Sequence, residues 1–363
     1  MTNLPASGKP DSLTPFDTAT LTASLTSISG SRVSDVACSP LVGDASDRKY
    51  FRVTYHTGAA GNPSSSMIVM QLQAPVPNGE TDFIRILNYL KALELPAPEL
   101  FHYNSERGLL FLEDCGHLTL EDWVREHPED KTAYYRQAVE LLARLHHRAT
   151  KNIDADCPAY HLKFDVEKLM WELDFMLEHY VKGLCNSPLT AEELEKVRGH
   201  FLCLCETLAV QEPTFTHRDY HSRNLMATNG RLVLLDFQDA RMGPCQYDLA
   251  SLLKDSYVPL EDDFRNEMIE HFIRRKEKEE SRSIDRREFF RIFEWMSIQR
   301  NLKAVGTFAY QSVVKKKHRY LEYIPQTLGY VNSTLNARPE LAKIRQTLTQ
   351  YIPGLVSNKT KGK

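Results

Sequence analysis

The sequence predicts an α+β protein of two lobes, the first β-rich and the second mostly helical. Three observations carry this. Lys49 to His56 alternates apolar and polar residues, and Ser66 to Leu72 is β-branched and apolar, the marks of strands. After Asp114, apolar residues recur at three- and four-residue spacing through long segments, as on amphipathic helices. Within that helical half, the chain from Thr216 to Phe237 breaks into short apolar runs around Asn229-Gly230, a hairpin dipeptide.

Taken in order, residues 1–15 are mostly polar and broken by Pro5, Pro10 and Pro15, so disorder is expected there and in the tail 357–363. The start lacks the charged and apolar blocks of a signal peptide. A first lobe is expected over 16–113. It opens with a weakly amphipathic helix at 17–29 and continues with the two strands joined by the Gly/Pro/Ser loop 58–66. A helix from Thr81 to Leu95 carries Phe83, Ile84, Leu87, Leu90 and Leu93 on one stripe and is stopped by Pro96 and Pro98. A short buried strand, Gly108 to Asp114, ends the lobe and runs into a polar link, with Glu113-Asp114 readable as linker. The helical lobe, 114–356, holds segments at Thr132–Arg148, Asp165–Leu184, Thr190–Val210, Glu261–Glu280 and Arg286–Val314. Arg274 to Arg287 is a dense charge run, expected to be a solvated helix face followed by a loop.

Composition excludes several functions. Charged residues are 26% and the net charge is −3, so nothing argues for a nucleic-acid partner. No apolar run reaches the ~18 residues of a membrane span. The seven cysteines are odd in number and contain no C-x-x-C, which points to reduced thiols and a cytoplasmic location. Cys203 and Cys205 lie in the apolar run from Phe201, where buried thiols are expected in preference to metal ligands. A monomer is the favoured oligomeric state.

The chemistry lies in Thr216-His217-Arg218-Asp219-Tyr220-His221-Ser222-Arg223-Asn224, followed by Leu234-Leu235-Asp236-Phe237. This is H-R-D-x-x-x-x-N and then D-F, the spacing of a kinase catalytic loop and its metal-binding aspartate. It makes the two-lobed layout protein-kinase-like, with the lobes joined near Glu113. Phosphoryl transfer needs a group at the acceptor hydroxyl, assigned to Asp219, and hard oxygen ligands for Mg²⁺, assigned to Asn224 and Asp236. Gln238 stands where a protein kinase has glycine, no A-P-E follows, and only 12 positions separate Asp236 from Asp248. That is too short for a peptide platform, so a small-molecule acceptor is expected. Asp248 is either the cap of the helix it opens or a buried carboxylate bracing the catalytic loop. Arg223 is expected to pair with Asp239 or Asp248 in preference to phosphate.

These residues resemble the superfamily of aminoglycoside phosphotransferases and choline kinases. Gly43-Asp44-Ala45-Ser46-Asp47-Arg48-Lys49-Tyr50-Phe51-Arg52 is similar to the G-D-A-S-x-R-x-Y-F-R opening of bacterial cell-wall sugar kinases. So are the loop His217 to Met226, the run Leu235 to Leu253, Trp171 to Phe175, and Gln299 to Phe308. The resemblance covers about 40–335. It implies ATP-dependent phosphorylation of N-acetylmuramate or N-acetylglucosamine at the anomeric C1 hydroxyl, in peptidoglycan recycling. One departure matters: no lysine stands at Met70-Gln71-Leu72, where a protein kinase has its phosphate-binding lysine. Arg48 and Lys49 are the candidates for that charge, unless they form a solvated strand edge. Gly43 and Ser46 are assigned to the phosphate loop, and Leu112 and Glu113 to adenine.

Acceptor residues are expected from the helical lobe. Glu172 and Asp174 suit sugar hydroxyls, and Arg300, Asn301 and Lys303 suit a lactyl carboxylate. The alternative for Glu172 and Arg300 is a solvated helix face. The base-rich segment from Arg286 to Arg319 disfavours a polycationic aminoglycoside. Trp171, Tyr180, Trp295 and Tyr310 keep a choline cage open, and the missing lysine keeps open a non-catalytic ATP-binding scaffold.

Overall fold

The computed structural model describes residues 17–41, 48–58, 64–77 and 79–355. Gly43, Ser46 and the two chain ends expected to be disordered lie outside the described residues. The chain divides into two compact units, Met1–Thr81 with Pro98–Cys115 and Asp82–Ala97 with Gly116–Lys363.

The described residues of the first unit form one helix and a five-stranded antiparallel sheet. The helix α1 (Thr18–Ser29) is capped by Asp17, whose carboxylate accepts from the Thr20 amide at 2.6 Å. The strands are β1 (Val33–Leu41), β2 (Lys49–Thr57), β3 (Ser65–Gln71), β4 (Leu100–Asn104) and β5 (Leu109–Glu113), in the spatial order β1-β2-β3-β5-β4. The alternation of β2 is real: Phe51, Val53 and Tyr55 are buried beneath Leu21 and Leu25 of α1, with Met67, Val69 and Phe111 beside them. Lys49, at the open end of the strand, is exposed.

In the second unit, α2 (Asp82–Ala92) buries the expected stripe and stacks Phe83 on Phe237 with ring centroids 5.1 Å apart. Next come α3 (Leu120–Glu126), α4 (Lys131–Lys151), α5 (Pro158–His161) and α6 (Val166–Met176). The last runs on as a π-helical stretch, Leu177–Leu184. After α7 (Ala191–Ala209), the β interruption appears as two pairs. β6 (Thr214–Thr216) pairs with β9 (Arg241–Gly243), and β7 (Leu225–Thr228) pairs with β8 (Arg231–Leu234). Asn229 and Gly230 turn the β7–β8 hairpin with φ of 49° and 72°, as the dipeptide predicts. Four further helices follow: α8 (Gln246–Leu253), α9 (Asp262–Glu280), α10 (Arg286–Val313) and α11 (Ile324–Ala337), then the short α12 (Ala342–Tyr351). No described helix is long and apolar enough to cross a membrane.

Two expectations are corrected here. Cys203 is exposed while Cys205 is buried, because two steps along α7 turn roughly 200° and carry one thiol to solvent. Asp248 is not a helix cap: it sits inside α8 and is fully buried. None of the seven cysteines is in a disulfide.

Helices α6 and α10 meet at backbone distance. A Cβ on Gly306 would lie 2.6 Å from Met176 Cα and 2.9 Å from its nitrogen. Gly306→Ala is therefore expected to cost about 1–3 kcal/mol through overpacking. Gly199→Ala, where a Cβ meets nothing within 4 Å, should be neutral or stabilising. Urea unfolding of the two variants checks the contrast.

A second prediction comes from Lys254, which is 5% exposed and donates to Thr334 Oγ1 at 2.7 Å. Burial pushes its ammonium down to about 7 from an ordinary 10.5. The unfolded chain then binds more protons than the native one across that window, so this residue makes stability rise with pH from about 7 to about 10. Lys254→Met should flatten that rise, as measured by unfolding midpoints at about pH 7 and about pH 9.5.

Candidate active site

The loop from His217 to Asn224 runs from the end of β6 to the start of β7, and Asp236 follows β8. The two short β pairs thus fix both ends of the loop and the aspartate. Leu235 donates its amide to Asn224 O at 2.9 Å and ties the two segments together. Inside the loop, His221 donates its amide to Asp219 O at 3.0 Å, and Asn224 Nδ2 donates to the same oxygen at 2.9 Å.

Two buried carboxylates grip the loop from outside. Asp248 accepts from the amides of His217 at 2.7 Å and Arg218 at 2.9 Å, and from His146 Nε2 at 3.0 Å. Burial lowers the His146 pKa and keeps that imidazole neutral. Asp255 accepts from the Ser222 amide at 2.9 Å and from Tyr257 N at 3.0 Å. The bracing role for Asp248 is the one the structure adopts. Asp255 was missed, since one aspartate after a helix carries no signal. The site also holds strained backbone: Arg218, gripped by Asp248, and Asp236 stand at φ of 81° and 61°, the left-handed region that costs a non-glycine residue roughly 1–2 kcal/mol.

The candidate catalytic side chains converge. Lys303 Nζ lies 3.0 Å from Asp219 Oδ1. Asn224 Nδ2 is 3.5 Å from Asp236 Oδ2, while Gln238 Nε2 donates to Asp236 Oδ1 at 2.8 Å. Burial alone would raise Asp219, but Lys303 and Arg218 outweigh it and hold the carboxyl well below the usual range. Asp236 goes the other way: burial raises it first and the Asp219 charge second. The two carboxyls thus have opposed shifts, the Asp219 charge being one cause of the rise at Asp236. His221, beside them, is pushed by burial down to about 3 and stays neutral.

The donor set fits a hard divalent cation. Asp236 is a solvent-accessible carboxylate beside the Asp219 charge, and Asn224 has its NH₂ engaged, leaving its amide oxygen as the donor. Among the described residues no cluster of three or more His, Cys, Asp or Glu suits a metal. A magnesium ion needs only one or two carboxylates, with water and substrate phosphate completing its shell.

On the acceptor side, Glu172 is 1% exposed and Arg300 4%, so neither lies on a solvated helix face. Glu172 Oε2 accepts from Gln299 Nε2 at 3.1 Å and Tyr247 OH at 3.4 Å. Its Oε1 accepts no hydrogen bond and faces Lys168 Nζ at 3.9 Å and Arg218 Nε at 4.0 Å. Burial pushes Lys168 down to about 8, with Arg218, Arg241 and Lys303 adding repulsion. The sequence reading passed over Lys168, although it stands four residues before Glu172 on the same helix. Arg300 donates to Ser251 Oγ at 3.0 Å, and Asn301 is fully buried with its Nδ2 donating no hydrogen bond. Asp174, two steps around α6 from Glu172, pairs with Arg198 of α7. Arg223 is a further correction. It bonds Glu121 at 2.5 and 3.1 Å and Tyr323 OH at 2.8 Å, over the Tyr257 ring, and Asp239 pairs instead with Arg218 at 3.4 Å.

In the first unit, Leu112 is buried and Glu113 closes β5, with its Oε2 accepting from Glu99 N at 3.2 Å. Asp114, read as a polar link, accepts a bidentate fork from Arg52 at 2.7 and 2.9 Å. Arg48 is half-buried just before β2.

Residues 37–289 match the model of the phosphotransferase enzyme family, well over half of the chain. The chain belongs to that family. Within this phosphotransferase family, a relative from Neisseria meningitidis serogroup B named N-acetylmuramate/N-acetylglucosamine kinase is 30% identical, over 85% of this chain and 89% of its own. A choline/ethanolamine kinase family protein from Mesorhizobium loti shares the fold at a TM-score of 0.55 and 12% identity, covering 86% of this chain and 92% of that one. An ADP-bound aminoglycoside phosphotransferase, APH(2'')-Ib, does so at 0.52 and 16%, covering 86% and 97%. The protein-kinase-like α+β fold and the phosphotransferase class expected from the sequence both hold.

The bracing carboxylate gives the prediction for this phosphotransferase. Asp248→Asn keeps the shape but turns one acceptor into a donor facing an amide. A loss of about 1–3 kcal/mol in urea unfolding is expected, together with reduced turnover at temperatures where the variant is still folded.

Proposed function

We propose that this phosphotransferase moves the γ-phosphoryl group of ATP to the anomeric C1 hydroxyl of an N-acetyl amino sugar, N-acetylmuramate or N-acetylglucosamine. The observation that carries the reading is the convergence of Asp219, Asn224 and Asp236 at one loop, with Asn224 Nδ2 2.9 Å from Asp219 O and 3.5 Å from Asp236 Oδ2. Asp219 is held ionised, ready to accept a hydrogen bond from a hydroxyl, and Asp236 stands beside Asn224 as an oxygen donor. The name of the Neisseria relative supports the acceptor.

Asp219 orients the acceptor hydroxyl and takes its proton late, as suits a loose transition state and a weak base. An anomeric hydroxyl is more acidic than an ordinary alcohol and suits that base. Asn224 and Asp236 would hold Mg²⁺, which neutralises charge on the phosphate oxygens when bound. Gly43, Ser46, Arg48, Lys49, Leu112 and Glu113 remain the proposed contacts to ATP. The orphaned Glu172 Oε1 is the proposed acceptor of a sugar hydroxyl.

Local charge supports a neutral or anionic acceptor. Lys168, Arg218 and Arg241 surround Glu172, a poor setting for a polycationic aminoglycoside. A choline cage needs free aromatic faces, and Lys168 Nζ already sits 3.8 Å from the Trp171 ring centre. Free thiols and dependence on ATP fit a cytoplasmic setting.

The test is ADP release with Mg-ATP against N-acetylmuramate, N-acetylglucosamine, choline and kanamycin, with phosphorus NMR to place the new phosphate. Turnover with the N-acetyl sugars, phosphate on C1, and a loss on the order of 10²–10⁴ in Asp219→Asn are expected. Turnover confined to choline or kanamycin would refute the acceptor, and tight ATP binding without any turnover would make the chain a scaffold.

A further inference from the structure

The sequence leaves this phosphotransferase short of positive charge where the phosphoryl group moves. Between Asp219 and Asn224 the loop offers His221, whose Nε2 is turned to Asn224 Nδ2 at 3.5 Å, and Arg223, which is bound by Glu121 and Tyr323. Arg218 precedes Asp219 and its charge acts on that carboxylate, but its guanidinium makes its close ion pairs with Asp239 at 3.4 Å and Glu172 at 4.0 Å. Arg300 is buried on Ser251. One ammonium reaches the reacting carboxylate from elsewhere in the unit. Lys303, on α10, lies 3.0 Å from Asp219 Oδ1 and is 14% exposed.

We propose that Lys303 is a catalytic residue, the cation that bridges Asp219 and the transferred phosphoryl group. This rests on the phosphotransfer reading above. It replaces the role of acceptor-carboxylate ligand that the sequence suggested. Charge in the transition state spreads over the equatorial phosphoryl oxygens, and a fixed cation beside them is worth most in a site shielded from water. Asp219 grips the acceptor hydroxyl, so an amine within hydrogen-bond reach of Asp219 stands next to the atom being phosphorylated. An ammonium has three donors, and Asp219 takes one.

In the step itself, the acceptor oxygen forms its bond to the γ-phosphorus as the bond to the β–γ bridging oxygen breaks. That electron pair leaves on ADP, and the hydroxyl proton passes to the Asp219 carboxylate. Lys303 keeps its proton throughout and neutralises phosphoryl charge.

Its position is fixed by packing. Three residues on, Gly306 meets the Met176 backbone, so the turn of α10 that carries Lys303 is locked against α6. On the other side of Lys303, Arg300 and Asn301 are anchored in the core. The amine is thus delivered by a rigid element, as a group that must meet a transition state requires.

The experiment compares wild type, Lys303→Ala and Lys303→Arg with Mg-ATP and each N-acetyl sugar, with methylammonium added in a second series. Lys182→Ala, an exposed lysine paired with Glu178, is the control for non-specific effects of the amine. Lys303→Ala is expected to lose on the order of 10²–10³ in kcat, with KM for ATP and for both sugars changed less than about threefold. Methylammonium should restore part of its rate saturably, Lys303→Arg should retain part, and Lys182→Ala should not respond to the amine. Urea unfolding checks that Lys303→Ala is folded. A loss appearing only as a raised KM for N-acetylmuramate would overturn the proposal and return Lys303 to the acceptor carboxylate. So would a folded Lys303→Ala that keeps the wild-type kcat, or one that no amine rescues while Lys303→Arg is equally dead. If wild type turns over none of the sugars, the acceptor reading fails separately. The same comparison is then made on intrinsic ATP hydrolysis, where an unchanged rate in Lys303→Ala sinks the assignment.

Discussion

The catalytic loop depends on one buried carboxylate. Asp248 has no exposure and three donors, two of them consecutive backbone amides of the loop and the third a neutral imidazole. A polar group out of water is tolerated only when its lone pairs are filled this way. The same bonds that satisfy it hold Arg218 at positive φ and so aim Asp219. Asp255 repeats the device one turn of loop later, on the Ser222 amide. The loop has no regular secondary structure beyond a single tight turn at Ser222–Asn224, and its shape comes from these two anchors.

Around that loop, charge is divided between neighbours rather than shared. Asp219 is driven toward its ionised form by cations from α10 and from its own loop, whereas Asp236 is driven away from it by burial and by Asp219. A second centre repeats the theme at Glu172, one carboxylate with basic groups on several sides and an oxygen without a hydrogen bond. Both centres rest on α6, α10 and the two β pairs of the same unit.

Much of this was legible in the sequence. His217, Asp219, Asn224 and Asp236 were picked out by spacing alone, because the H-R-D-x-x-x-x-N and D-F pattern is written in closely spaced residues of one stretch of chain. The helices came from apolar periodicity, and the hairpin from Asn229-Gly230. Partners were not legible. Arg223 finds Glu121, 102 residues away in the chain, and Lys303 finds Asp219 across 84. No local pattern encodes such pairings. Burial was left open where a polar residue stood on a helix, as at Glu172 and Arg300, because periodicity there cannot tell a polar residue inside from one outside. Asp114 looked like linker since its partner Arg52 lies on a different strand, 62 residues earlier.

The contact between Gly306 and Met176 bears on how such a site can diverge. Helix α6 carries Lys168 and Glu172, helix α10 carries Lys303, and the two helices touch main chain to main chain. Neither can slide along the other without first opening a gap of a whole side chain. A lineage that came to accept a bulkier or differently charged compound would have to do so by exchanging residues on fixed rails. Change at this end of the molecule should therefore appear as substitutions at single positions, with the spacing of the two helices inherited intact.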